Sequence, residues 1–198
     1  MTGPTQRFQL SVEAAEAYEA RFMPALFAGW APHLVEAAGV GPGQAVLDVA
    51  CGTGVVARAA ADRMGGHGRV AAADLNEGML AVAGRLRPDI EWHRADAADL
   101  PFEDGSFDAV LCQSALMFFP DRVRALREMA RVAAAGGTVD AGVAAMGPFV
   151  VDGGRVELPI GGHLVTALAP GLRPGGRAGA GWGRILGRPR HTWEPPWT

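Results

Sequence analysis

Short apolar segments alternate along the chain with segments whose apolar residues recur at helical spacing. Five segments are predicted to be strands: QAVLDVA (44–50), GRVAAADL (68–75), IEWHRAD (90–96), FDAVLCQSA (107–115) and TVDAGVA (138–144). Three are predicted to be helices: VVARAAADRM (55–64), NEGMLAVAGRLR (76–87) and DRVRALREMARVAA (121–134). Strands and helices that alternate in this way form βαβ units with right-handed crossovers. The pattern therefore predicts an α/β fold with a doubly wound, mostly parallel sheet over residues 44–146.

Capping residues indicate where the predicted helices begin and end. Asn76 and Asp121 are the expected N-caps of the second and third helices. The second helix is expected to end before Pro88, and the third to close in a turn at Gly136 and Gly137.

The first 43 residues are predicted to form a helical lid or cap. Ser11 is a candidate N-cap, Pro24 and Pro32 can each open a further helical piece, and Gly39 can end the last one. The loop VGPG (40–43) then leads into the first strand.

The C-terminal segment, 147–198, departs from the alternating pattern. Residues 136–198 hold 15 of the 28 glycines and half of the 14 prolines. A hairpin around Asp152-Gly153-Gly154 is expected, followed by a disordered tail that buries little. This part of the fold is therefore expected to be atypical or incomplete, as truncation or a change of reading frame would make it.

Composition favours a globular cytoplasmic protein. The net charge of −3 gives no strong attraction to nucleic acid or to an anionic membrane, and 49% of the residues are hydrophobic. No window reaches the length of a membrane span, and the N-terminus lacks the apolar core of a signal peptide. Two cysteines are too few for a disulfide framework and lack metal-ligand spacing, so no metal is expected.

The residues that suggest chemistry follow the predicted strands. Gly52 and Gly54 after the first strand would let the backbone turn sharply and approach a ligand. Asp74 comes 20 residues after Gly54, at the usual distance for an acid that binds ribose hydroxyls. Ligands of open parallel sheets lie beyond the carboxyl ends of the strands. An adenosine-containing ligand is therefore expected, although a glycine turn that merely joins strand to helix is an alternative interpretation.

Asp48 distinguishes between two kinds of adenosine-containing ligand, a dinucleotide and S-adenosylmethionine. A dinucleotide places its pyrophosphate over the helix N-terminus, where a nearby carboxylate would repel it. S-adenosylmethionine instead carries a sulfonium and an amino group, for which an acid is favourable. A nicotinamide-dependent oxidoreductase remains the alternative enzyme, disfavoured by Asp48.

Four motifs in order along the chain carry a family resemblance. VLDVACGTG, the Asp74 of AAADLNEGML, RADAADLPFEDGSFDAV and ALREMARVAAAGGTV together resemble the class I S-adenosylmethionine-dependent methyltransferases, which have a Rossmann-like fold. The subgroup they resemble contains the ubiquinone and menaquinone biosynthesis C-methyltransferases, and the likeness covers about residues 10–145.

The resemblance implies a cofactor role for a set of residues. Asp48 and the turn after it would line the methionine and ribose portions, Asp74 would bind the ribose, and Leu75 and Met79 would flank the adenine. Asp96 and Ala97 would bind the adenine edge, the backbone of Gln113 would face the amino group, and Tyr18 would cover the site as a lid, or else be a core tyrosine. The predicted cofactor-binding residues are thus Asp48, Ala50, Cys51, Gly52, Thr53, Gly54, Asp74, Leu75, Met79, Asp96, Ala97, Gln113 and Tyr18.

The implied function is methyl transfer from the sulfonium to a small-molecule acceptor by in-line displacement. MFFP (117–120) could form part of a wall for an apolar acceptor. No catalytic residue is identified, because His93 is expected to be an ordinary half-buried histidine and His33 is a weak candidate base. Ala50 replaces the family's first glycine, and the family's usual C-terminal helix and hairpin are not recognisable. A truncated cofactor-binding domain without activity is therefore the other interpretation.

Overall fold

The computed structural model describes residues 9–146, 150–152, 155–157 and 160–168, and most of its strands form one sheet. The strands are β1 (Ala45–Val49), β2 (Arg69–Asp74), β3 (Glu91–Arg94), β4 (Phe107–Gln113), β5 (Ala133–Met146), β6 (Val150–Asp152), β7 (Arg155–Glu157) and β8 (Ile160–Leu168). Six of them form the sheet in the order β3-β2-β1-β4-β5-β8, in which the first five are parallel and β8 is antiparallel to β5.

Five α-helices accompany the sheet in the described part of the chain. They are α1 (Val12–Phe22), α2 (Ala31–Ala37), α3 (Val55–Met64), α4 (Glu77–Leu86) and α5 (Arg122–Val132), with a π-helical turn at Met23–Phe27 and a 3-10 turn at Leu116–Phe118. The expected N-caps are confirmed: the side chains of Ser11, Asn76 and Asp121 accept the N–H of the residue three positions later. None of these helices is long and apolar enough to cross a membrane.

The core lies in two layers, one on each face of the sheet. Successive residues of β1 point to opposite faces, so that Val46 packs in the layer of α2 and α3 while Leu47 packs in the layer of α5. The hydrophobic runs of the strands are therefore buried from both sides, as a parallel sheet requires. The predicted doubly wound α/β fold is confirmed.

The passage from α5 to β5 differs from the prediction. No separate turn divides them, because β5 begins at Ala133, directly after Val132. The pairing with β4 shifts between Phe107↔Ala133 and Ala109↔Thr138, which makes a bulge. Gly136 has a φ of 81°, so the glycines serve this bulge and do not terminate the helix.

The C-terminal segment contributes more to the sheet than the sequence pattern predicted. β6 pairs with β7 in the expected hairpin. β8, which the pattern missed, pairs with β5 from Thr138↔Leu168 to Met146↔Ile160. The expected disordered tail, residues 173–198, lies outside the described residues, and the division into three segments stays a prediction.

Candidate functional site

The candidate site lies where the strand order of the sheet reverses. β1 has β2 on one side and β4 on the other, so the carboxyl ends of all three strands meet at one edge. The turn that leaves β1, residues 50–54, lies at this edge and leads into α3. Its backbone adopts positive φ at Ala50 (55°), Gly52 (55°) and Gly54 (84°). This is the position at which open α/β sheets bind their ligands.

The two glycines of the turn have different surroundings. A Cβ at Gly54 would overlap the ring of Trp92, so this glycine is required by packing beneath the turn. A Cβ at Gly52 would meet nothing within 4 Å. Gly52 therefore faces the open side of the turn, and there the backbone is accessible to a ligand.

Asp74, at the end of β2, is held in place by the turn and by its own neighbours. Its Oδ2 accepts the Gly52 N–H at 2.8 Å, and its Oδ1 accepts the Asn76 N–H at 2.8 Å. Burial raises the pKa of Asp74, and these N–H groups counteract the effect. Each oxygen of the fixed carboxylate retains a lone pair for a further donor, such as a hydroxyl.

Asp48 is buried beneath the turn, with 1% of its surface exposed. Its Oδ2 accepts the Ala57 N–H at 2.9 Å, in the first turn of α3. Burial raises the pKa of Asp48 to about 8; the hydrogen bond from Ala57 and the charge of Arg58 lower it, whereas the charge of Asp74 raises it. The residue thus satisfies an otherwise unpaired N–H of the helix, a role that the sequence did not indicate.

Tyr18 on α1, the predicted lid residue, packs against a small cluster. Its ring centroid is 5.9 Å from that of Phe27, and its side chain packs with Met79. Burial raises the pKa of Tyr18 to about 12, and the charges of Glu19 and Asp74 contribute to the shift. The hydroxyl is therefore within electrostatic reach of Asp74, although the residue is also part of the packing between α1 and α4.

Hydrogen bonds attach the N-terminal segment to the carboxyl edge of the sheet. Gln113 Nε2, at the end of β4, donates to the carbonyl oxygen of Phe27 at 3.0 Å. Gln9 Nε2 donates to the carbonyl oxygen of Leu75 at 2.9 Å. The predicted lid thus contacts both walls of the candidate site.

Glu19 and Arg58 are residues of the site that the sequence analysis missed. Arg58 Nη2 donates to Glu19 Oε1 at 2.8 Å, and Arg58 Nη1 donates to the carbonyl oxygen of Thr53 at 2.6 Å. The pair connects α1 to α3 and to the turn. No sequence signal marks it, because its members are 39 positions apart and only tertiary packing brings them together.

The predicted adenine-binding residues follow two neighbouring strands, with Leu75 and Met79 after β2 and Asp96 and Ala97 after β3. Leu75 is half-buried, and Met79 and Ala97 are buried. Asp96 is exposed after β3, and its Oδ1 accepts the Ala98 N–H at 2.9 Å. A cavity of about 160 Å³ separates this region from the start of α5; Asp96, Ala98, Phe119, Pro120, Asp121, Arg124 and Ala125 line it.

Three further residues could in principle be reactive groups: His93, His33 and Cys51. The rings of His93 and Phe102 meet edge to face at 4.9 Å, and His33 is exposed on α2. Cys51 is buried within the turn, and burial raises the pKa of its thiol well above the ordinary range. Neither the histidines nor the thiol is placed as an activated catalytic group.

The charges around the turn have a negative balance. Asp74 and Glu19 are opposed by Arg58, whereas Asp48, whose pKa is raised to about 8, keeps its proton at neutral pH and adds no charge. Three buried oxygen atoms here have no hydrogen-bond partner in the described structure: Glu19 Oε2, Thr53 Oγ1 and Gln113 Oε1. Such a site fits a cationic ligand that carries N–H and O–H donors, as S-adenosylmethionine does, better than a diphosphate.

Comparisons with known proteins give the same indication. Residues 47–139 match the methyltransferase domain family. A demethylmenaquinone methyltransferase of Renibacterium salmoninarum is 45% identical over 108 residues, which are 54% of this chain and 44% of the relative. The corresponding enzyme of Beutenbergia cavernae is 36% identical over 141 residues, 71% of this chain and 56% of the relative. The chain spans about half the length of these relatives.

A solved structure has the same fold. It is the complex between the Haloferax volcanii Trm112 methyltransferase activator and a methyltransferase, which matches with a TM-score of 0.61 and 29% identity. The match covers 67% of this chain and 59% of that chain. These likenesses favour the methyltransferase interpretation over the nicotinamide-dependent alternative.

Proposed function

Because this chain carries a class I S-adenosylmethionine-dependent methyltransferase domain, we propose that it binds S-adenosylmethionine and transfers the methyl group to a small-molecule acceptor. The observation that carries the proposal is the arrangement of Asp74 and Gly52. The carboxylate is fixed by two backbone N–H groups beside a turn whose open side leaves room for a ligand. The negative balance of the surrounding charges supports a cationic donor.

The residues of the chain would bind and orient the donor. When bound, S-adenosylmethionine supplies an electrophilic methyl group: its carbon–sulfur bond breaks with the electron pair left on sulfur, while the acceptor bonds to the carbon and loses a proton. Asp74 would accept the ribose hydroxyls, and the backbone of residues 50–54 would lie against the ribose and methionine portions. The segment that carries Tyr18 would exclude water. Positioning and desolvation are what such a transfer requires of a protein.

The other predicted contacts belong to the same proposal. Leu75 and Met79 would flank the adenine, and Asp96 and Ala97 would bind its polar edge. Asp48 would act through the turn, because its carboxylate is occupied by the N-terminus of α3. Cys51 and Cys112 are both buried free thiols, which supports the expected cytoplasmic location.

Calorimetric titration tests donor binding. We expect the protein to bind S-adenosylmethionine and its demethylated product, and Asp74→Ala to weaken both by about 100-fold, because two hydrogen bonds to a charged group are lost. Asp62→Ala, at an exposed carboxylate that pairs with Arg87, is the matched control and should leave binding unchanged. Tight binding of NADH with none of S-adenosylmethionine would overturn the proposal.

We further propose that the acceptor is a quinone-type aromatic compound and that the methyl group is transferred to one of its carbon atoms. The relatives are named as demethylmenaquinone methyltransferases. In this chain, Met117 and Phe118 follow β4 with 46% and 62% of their surfaces exposed, and they offer an apolar surface beside the site. Both residues belong to MFFP (117–120), the segment predicted to form part of a wall for an apolar acceptor.

A methyltransferase assay with a demethylmenaquinol-type naphthoquinol tests the acceptor. The expected result is release of S-adenosylhomocysteine together with a C-methylated product identified by mass spectrometry. Donor binding without turnover on this acceptor would contradict the acceptor proposal. If no other acceptor class were methylated either, the chain would be a cofactor-binding domain without activity.

A further inference from the structure

Two side chains of α5, Glu128 and Arg131, form an ion pair (the α5 pair) that holds the segment after β3. Arg131 Nε donates to Glu128 Oε1 at 2.8 Å and Nη2 donates to Oε2 at 2.7 Å, so the pair is bidentate. Glu128 Oε2 also accepts the Leu100 N–H at 3.0 Å, and Arg131 Nη2 donates to the Leu100 carbonyl oxygen at 2.9 Å. Both backbone polar groups of Leu100 are therefore bound by the α5 pair.

Every N–H group of Arg131 has an acceptor. In addition to the bonds above, Nη1 donates to the carbonyl oxygen of Phe102 and to Asp104 Oδ1, both at 2.8 Å. A guanidinium has five N–H donors in a fixed plane, and all five are used here. The hydrogen bonds from Arg131 lower the pKa of Glu128, which keeps the carboxylate charged. A lysine, whose three donors lie on one atom, cannot reproduce this set of bonds.

The residue that the α5 pair holds is one short turn away from Asp96. The Asp99 N–H donates to the carbonyl oxygen of Asp96 at 2.9 Å, and Asp96 Oδ1 accepts the Ala98 N–H at 2.9 Å. These bonds close residues 96–99 into a turn. Leu100, directly after the turn, is buried in the same core layer as Met129 of α5. The position of Asp96 relative to α5 is therefore set by the attachment of Leu100.

The cavity of about 160 Å³ lies between this turn and the start of α5. Asp96 and Ala98 line one side of it, and Arg124 and Ala125 of α5 belong to the other. The α5 pair attaches the segment further along the same helix, at positions 128 and 131. Because the attachment and the cavity wall belong to one helix, the α5 pair fixes the width of the cavity in front of Asp96.

We propose that the α5 pair positions Asp96 for recognition of the adenine base, by holding its carboxylate where it accepts a hydrogen bond from the adenine amino group. This inference rests on the proposed function, since the adenine belongs to S-adenosylmethionine. Glu128 and Arg131 are positioning residues, which act on the base through Leu100 and the turn. A pair that only stabilised the fold would support all parts of the donor equally, whereas a positioning pair affects recognition of the base.

The test compares two ligands that differ only in the base. S-adenosylhomocysteine has an amino group on the six-membered ring, where S-inosylhomocysteine has a carbonyl oxygen that cannot donate to Asp96. We expect the unaltered protein to bind the adenosyl ligand at least about 10-fold more tightly. Arg131→Lys keeps the charge but loses the planar set of donors, and it should lower this preference about fivefold. Calorimetry measures the ratio of the two Kd values.

Three further variants sharpen the comparison. Glu128→Gln removes the charge and one acceptor, so it should lower the preference as Arg131→Lys does, and it provides an independent measurement if Arg131→Lys lowers the yield of folded protein. Arg127→Lys is the matched control, because Arg127 is exposed on the same helix. Asp104→Asn removes an acceptor of Arg131 but leaves the bonds to Leu100. Neither Arg127→Lys nor Asp104→Asn should change the ratio.

The outcomes separate this inference from the proposed function. If Arg131→Lys and Glu128→Gln raise both Kd values equally, the α5 pair only stabilises the fold and the inference is wrong. Unchanged Kd values in both variants would also overturn it. If the unaltered protein binds the two ligands equally well, no base recognition exists for the pair to support, so the inference is wrong while donor binding stands. If the unaltered protein binds neither S-adenosylmethionine nor S-adenosylhomocysteine, both proposals are wrong.

Discussion

Asp48 illustrates how a single residue serves the site without being accessible from it. The carboxyl group is buried and accepts the Ala57 N–H, and so it joins the end of β1 to the first turn of α3. From the sequence alone, Asp48 is expected to be an acid that faces a cationic ligand. In the folded chain burial raises its pKa to about 8, so it is protonated at neutral pH, and its hydrogen bond fixes the helix that carries Arg58.

The raised pKa of Asp48 predicts a specific pH dependence of stability. The folded state holds the proton up to about pH 8, whereas the unfolded chain releases it near the ordinary value of 3.8. The contribution of Asp48 is therefore fully present below the unfolded pKa and is lost as the pH rises through 8, with a slope of up to about 1.4 kcal/mol per pH unit.

Asp48→Asn removes the titrating group and keeps an oxygen for the Ala57 N–H. We expect the free energy of unfolding of the unaltered protein to fall, relative to this variant, between about pH 5 and about pH 8. Urea denaturation at several pH values measures this free energy of unfolding, with Asp62→Asn as the exposed control. Parallel pH profiles for the unaltered protein and Asp48→Asn would show that the raised pKa is wrong.

At the scale of elements, α4 is the support on which the N-terminal segment packs. Gly78 has no room for a side chain, because a Cβ would overlap the carbonyl oxygen of Leu10 and lie 3.0 Å from the carbonyl carbon of Ser11. The chain that enters α1 thus crosses α4 in direct backbone contact. Arg85 and Glu16 join the two helices further along, at the surface.

Two glycines of α4 allow a matched test of this contact. Gly78→Ala should displace the start of α1, cost about 1–3 kcal/mol in the free energy of unfolding and speed amide exchange in α1. Gly84→Ala should stabilise the protein by about 0.5–1 kcal/mol, because it improves helix propensity and its Cβ would make only an ordinary contact, 3.7 Å from Trp92. Similar changes in α1 exchange for both variants would contradict the role assigned to Gly78.

For the whole molecule, the sheet shows how far local pattern determines architecture. The first four strands were predicted within a few residues of their observed ends, since each is a compact apolar run between turn residues. The glycine-rich turn and Asp74 were placed at the correct edge for the same reason. β8 was missed because IGGHLVTAL lacks regular alternation and has two glycines near its start, which weaken a strand prediction.

The pairing of β8 with β5 predicts a pattern of amide exchange across the sheet. Every second residue of 160–168 should exchange slowly, because β8 is an antiparallel edge strand in which alternate N–H groups bond to β5 along nine paired positions. The short strand β3 at the opposite edge should exchange faster than the central strand β1. Hydrogen exchange with mass spectrometry measures both, and free exchange throughout 160–168 would leave β5 as the edge of the sheet.

The sequence by itself determined the helices with their N-caps, the parallel strands, and the acids and glycines at the ends of those strands. These features depend on residues within a few positions of one another, and local periodicity and turn chemistry encode them. Three features follow from the tertiary structure alone. Asp48 accepts the Ala57 N–H of α3, and Gly54 leaves space for the ring of Trp92. Glu19 and Gln113 each have a buried oxygen without a hydrogen-bond partner in the described structure. The partners of Glu19 and Gln113 are 39 and 86 positions away, and packing of the N-terminal segment onto the sheet brings them together.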